Sequence, residues 1–171
     1  MPRLNKTELI LLAVATVAGA CLHFLYTLLP CVATALVAPV RESLWEHVKL
    51  LYWPGLLTGL VLQRKGPALP GPRAFSLLAA TAGMLVIGYV YHICFQGDSL
   101  FFDIVLYVLM MALLFLLPHM LHGSCWQKHQ ELWILLVLVL GVATMFFTFL
   151  PPGGLLFADL SGTPTWVTLP C

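Results

Sequence analysis

Arg41-Glu42-Ser43-Leu44-Trp45-Glu46-His47-Val48-Lys49 is the stretch of this chain with the densest set of groups able to do chemistry. It offers two carboxylates, an imidazole, a hydroxyl and an amine. Imidazole nitrogen and carboxylate oxygen together form a donor set that suits zinc and similar divalent ions. A neighbouring carboxylate can then take a proton from an activated water. Histidine also titrates near neutrality, so the same groups suit a proton relay. The stretch runs directly into the apolar residues 50–62. Ionisable groups placed where a helix enters hydrocarbon are costly, and they need a partner or a job.

A purely architectural account of these residues competes with the chemical one. Ser43 and Glu46 have the S-x-x-E spacing of a capping box. Glu42 would favour the positive end of a helix dipole. Glu46 and Lys49 lie three apart and can pair on one helix face. Trp45, Tyr52 and Trp53 suit an aromatic belt at a membrane interface.

Composition settles which elements must position these groups. Of 171 residues, 61% are hydrophobic and 9% charged, with a mean hydropathy of +0.98. A soluble domain carries about 25% charged residues, so this chain reads as an integral membrane protein. A net charge of +1 gives no reason to expect a nucleic-acid partner. The expected fold is all-α, a polytopic helical bundle forming one domain over residues 1–171. Five apolar segments approach the ~20 residues needed to span, at roughly 8–29, 43–62, 75–95, 100–118 and 132–150. With the N-terminus inside, the inner segments hold Arg3, Lys6, Arg64, Lys65, Arg73 and Lys128, six of the eight basic residues. That asymmetry predicts an N-in, C-out orientation in a cytoplasmic membrane.

Orientation turns scattered polar residues into a layer. His23 lies near the outer end of the first span, and Glu42, Glu46 and His47 open the second. His92 closes the third, and Asp103 opens the fourth. At 1.5 Å per residue, all sit within about 10 Å of the outer helix ends. The leading site is therefore a divalent-metal centre, zinc by preference, with His23, His47 and Asp103 as ligands. Glu46 or Glu42 would act as general base, and Ser43 would orient the water.

Other features are weaker. His119, His122, Cys125 and His129 form an inner cluster that matches no strong zinc spacing. Cys21, Cys31, Cys94, Cys125 and Cys171 are odd in number and unpaired in spacing, so free, buried thiols are expected. Gly66, Pro67, Pro70, Gly71 and Pro72 read as a rigid connector between the second and third spans. The tail from Leu155 to Cys171, with Phe157, Leu160, Trp166 and Val167, is apolar enough to fold back over the outer layer or lie along the membrane. There is no H-E-x-x-H, G-x-S-x-G or P-loop.

The chain resembles an uncharacterised family of small bacterial multi-pass membrane proteins, a domain of unknown function. That family carries a histidine-phenylalanine pair in its first span, then Asn-Glu-Ser-x-Trp-Glu-His-x-Lys, and two prolines after its last span. Here His23-Phe24, Glu42 to Lys49, Asp103, Pro151-Pro152 and Leu156-Phe157-Ala158-Asp159 correspond to that pattern. Arg41 replaces the asparagine, and Gly153 stands where a histidine commonly follows the prolines. The resemblance implies a shared set of His23, Glu42, Ser43, Trp45, Glu46, His47, Lys49 and Asp103, and it implies no activity.

The functional expectation is a metal-dependent hydrolase of a lipid-like or small amphiphilic substrate within the bilayer. A small proton- or cation-linked transporter, or a non-catalytic assembly or sensor protein, are the alternatives. Mostly apolar residues separate the outer layer from the inner cluster, which weakens the transport reading.

Overall fold

The computed structural model describes residues 4–65, 69–121 and 124–161. Its helices are α1 (Lys6–Leu28), α2 (Val32–Val37), α3 (Leu44–Lys65), α4 (Pro70–Tyr89), α5 (Leu100–Met120), α6 (Ser124–Lys128) and α7 (Gln130–Phe149). A π turn, Val90–Cys94, prolongs α4. No strand occurs among the described residues. The five long helices coincide with the five apolar segments to within a few residues. The short α2 and α6 lack the length or periodicity to announce themselves.

Four helical segments are long and apolar enough to cross a membrane: Lys6–Leu28, Pro70–Cys94, Leu100–Met120 and Gln130–Phe149. The remaining long helix, α3, is the most buried of the five. It packs on α1, α4, α5 and α7. Ten of its 22 residues are buried, against four of 23 in α1. A helix with so large an inward face can carry polar groups on it, so α3 tolerates the buried Glu46, Lys49 and Thr58.

Local chemistry starts the helices. Asn5 and Glu8 form a complete capping box at α1, and Ser99 caps α5. Pro70, Gly71 and Pro72, expected as connector, instead open α4. Proline at the first turn gives up an N–H that has no helical partner anyway. Gly66 and Pro67 lie outside the described residues.

Small residues let the helices approach closely, as they must where lipid is as apolar as leucine. Pro54 lacks the N–H that would bond the Leu50 carbonyl. That carbonyl faces Gly19 of α1, where an added Cβ would collide with it and with the Tyr107 hydroxyl. Tyr52, expected in an interfacial belt, is buried instead. It lies over Gly141 and donates to the Val137 carbonyl at 3.0 Å.

Candidate metal centre

At one end of the bundle the C-terminal ends of α1, α4 and α7 meet the N-terminal ends of α3 and α5. Two polar assemblies occupy this end, one buried and one open.

The buried assembly is built on Glu46 and Lys49. The Lys49 ammonium, completely buried, donates to Glu46 Oε2 at 2.8 Å, to the Ala35 carbonyl at 2.7 Å and to the Ala38 carbonyl at 3.1 Å. All three of its donors are used. Glu46 Oε2 also accepts from the Val40 N–H at 3.0 Å, and Oε1 accepts from the Thr148 hydroxyl at 2.9 Å. Arg41 Nη2 donates to the Thr148 carbonyl at 2.7 Å. Buried charges persist only when paired and bonded in this way. The result ties α2 and its following loop to α3 and to the end of α7.

This arrangement changes two expectations. Only half of the capping box forms: the Ser43 hydroxyl accepts from the Glu46 N–H at 3.2 Å, but the Glu46 carboxylate turns to Val40, Lys49 and Thr148. Both Glu46 oxygens are thus engaged and shut away from solvent, and the Ser43 oxygen accepts from the helix.

The open assembly joins His23 of α1, Glu42 of the loop before α3, and His47 of α3. His47 Nε2 lies 3.3 Å from Glu42 Oε2, and His23 Nε2 lies 3.8 Å from Glu42 Oε1. The two imidazole rings are 5.3 Å apart. One ligating atom from each residue falls within 4.8 Å of the other two. The Glu42 side chain is half-exposed, at 48%.

His47 is oriented by its own helix. Its Nδ1 lies 2.8 Å from the Ser43 carbonyl, which can only accept, so Nδ1 carries the proton. The lone pair of a neutral ring then falls on Nε2, facing a carboxylate. Two acceptors at 3.3 Å require a proton or a cation between them. Hydrogen bonding by His47 holds the Glu42 carboxyl below the usual carboxylate range. The positive character of His47 and His23 adds to this, while burial and Asp159 oppose it.

Asp103, read as a third ligand, sits beside this set rather than in it. Its Oδ1 lies 2.8 Å from His92 Nε2, and His92 Nδ1 lies 2.9 Å from the Gly97 carbonyl. Both His92 nitrogens thus meet acceptors. The charge of Asp103 still acts on His47. Glu42, read from sequence as a base, is the carboxylate that faces both imidazoles.

The tail folds back over this end. The Trp45 N–H donates to the Leu156 carbonyl at 3.2 Å, and the Leu160 N–H to the Glu42 carbonyl at 2.9 Å. The first of these satisfies an amide that α3 leaves unbonded at its N-terminus. Phe157 packs against Trp45 and Phe147. Trp166, Val167 and Cys171 lie outside the described residues. Cys21, Cys31 and Cys94 are free, as expected, but exposed on the helix surfaces rather than buried.

The opposite end carries a set that sequence reasoning missed. The buried Glu8 carboxylate accepts from His119 Nε2 at 2.9 Å, from Arg73 Nη2 at 3.4 Å and from the Asn5 N–H at 3.0 Å. Glu8, three residues after Asn5 and just before the apolar run 9–15, was the available signal. His119 is therefore committed to Glu8, His129 is exposed at the start of α7, and His122 lies outside the described residues.

No curated protein and no solved structure matches this chain. Residues 1–163 match a family of unknown function (DUF6512). With nearly the whole chain matched and four helices long and apolar enough to cross a membrane, this is a membrane protein that belongs to that family of unknown function.

Proposed function

We propose that this protein holds a divalent transition-metal ion, zinc by donor set, on His23, Glu42 and His47. In this reading α3 is a fifth span, the most buried of the five. The N-terminus is inside, and the metal centre faces the outer side of a bacterial cytoplasmic membrane. The observation that carries the proposal is the opposition of His47 Nε2 to Glu42 while Nδ1 is held by the Ser43 carbonyl. A ligating histidine is characteristically oriented in this way, by giving its other N–H to a carbonyl. Two histidines and one glutamate form a donor set of catalytic zinc sites, which keep a fourth position for water.

Hydrolysis of a lipid-like substrate is the finer part of the reading. When bound, the ion would bring the pKa of a coordinated water to about 7. Glu42 is taken up as a ligand and Glu46 is enclosed. Asp103, steadied by His92 and partly exposed, is a carboxylate at this end that could accept the proton. The transporter reading gains nothing from the interior. There the hydroxyls of Tyr52, Thr58, Tyr107 and Thr144 bond backbone carbonyls and form no relay among the described residues.

The test is metal content of detergent-purified protein, comparing wild type with His47→Ala and Glu42→Gln. Near-stoichiometric zinc in the wild type, lost in both variants while helicity is kept, is the expected result. A folded wild type that takes up no divalent ion after incubation with zinc would overturn the proposal.

A further inference from the structure

We propose that the end of the bundle opposite the metal centre binds one acyl chain of an anionic phospholipid, with the lipid phosphate on Arg73. A pocket of about 270 Å³ opens there between α3, α4 and α7, with α5 as its floor. Its walls are Leu56, Leu62, Leu77, Phe115 and Val137, and its polar lining comes mainly from Gln63 and Arg73. Small-molecule pockets run to roughly 300–1,000 Å³, so the space suits a single hydrocarbon chain and not a whole lipid. The headgroup must then lie at the mouth.

Arg73 supplies the second, independent observation. Its side chain is 9% exposed, yet its Nε is buried without a partner among the described residues. Its bond to Glu8 is long, at 3.4 Å, while His119 approaches the same Glu8 oxygen at 2.9 Å. A guanidinium has five N–H donors in a fixed fork matched to phosphate oxygens. A buried one left under-bonded calls for an acceptor. Arg64 and Lys65 are exposed at the end of α3, directly after Gln63, so the end of α3 is cationic. Charge complementarity thus favours an anionic over a zwitterionic headgroup. Gly59 lines the pocket, and a Cβ there meets nothing within 4 Å. A larger side chain at this position would fill the chain-binding space without striking the backbone.

The experiment is native mass spectrometry of the full-length protein in detergent. The protein is titrated with phosphatidylglycerol, with phosphatidylcholine of the same chains, and with the free fatty acid. One phosphatidylglycerol per protein, retained at least tenfold better than phosphatidylcholine, is expected. Gly59→Leu should abolish that retention while leaving helicity and zinc content unchanged. Arg73→Gln should reduce the preference to near unity. Because Arg73→Gln also disturbs Glu8, the Gly59→Leu result decides if that variant fails to fold. Equal retention of the two phospholipids, stronger retention of the fatty acid, or full retention by Gly59→Leu would each overturn the proposal. None of these outcomes depends on a metal being bound at the other end.

Discussion

Glu46 and Glu42, four residues apart, have opposite fates, and substitutions should separate them. Glu46→Ala strands the fully buried Lys49 ammonium, and removing one partner of a buried ion pair costs about 3–5 kcal/mol. Thermal unfolding in detergent should show this as a large fall in midpoint, and a neutral Lys49→Met added to Glu46→Ala should recover part of it. Glu42→Gln should instead leave the fold intact and abolish zinc retention, whereas Asp103→Asn should retain zinc. Zinc affinity should weaken as pH falls from about 8 to about 5, because ligating nitrogens must be free of protons. Glu42 does not limit that window, since His47 holds its carboxyl below the ordinary value of 4.5. By linkage, a carboxyl lowered on folding contributes stability above that value and loses it as pH falls through the lowered one. Zinc titrations between pH 5 and pH 8 read the first effect, and an affinity independent of pH would contradict it.

Among the elements, α3 governs the bundle, and its closest approach is to α1. Gly19→Ala drives a methyl into the Leu50 carbonyl and should cost about 1–3 kcal/mol through overpacking. Gly59→Ala meets open space and should be neutral or stabilising by up to about 1 kcal/mol, from helix propensity. Unfolding midpoints of the two variants, measured in the same detergent, check the contrast. Equal midpoints would mean that α1 and α3 do not pack at Gly19. Apolar length alone made the five long helices legible, whereas the caps at Asn5 and Ser99 came only with the structure. The burial of α3 was not legible either. Its sequence reads as the least membrane-like of the five because its buried face carries Glu46, Lys49 and Thr58.

For the molecule as a whole, the N-in, C-out reading predicts which thiols meet the outside. Cys31 precedes α2 and is fully exposed, and hydrogen bonding by Thr34 holds its thiol below the usual range. A membrane-impermeant maleimide should label Cys31 in intact cells, read on a variant in which Cys31 is the single cysteine kept. Labelling of Cys31 only after permeabilisation would reverse the orientation. By itself the sequence determined that this is a bundle of long apolar helices with ionisable groups gathered near one end. Hydrocarbon demands apolar length, and the cost of charge within it makes each exception conspicuous. The tertiary structure alone decided what each exception does. Glu46 is closed off by Thr148, 102 residues away, and Glu8 by His119, 111 residues away. Such partners share no local spacing, so only packing could turn Glu46 inward, pair Asp103 with His92, and leave Glu42 facing the two histidines.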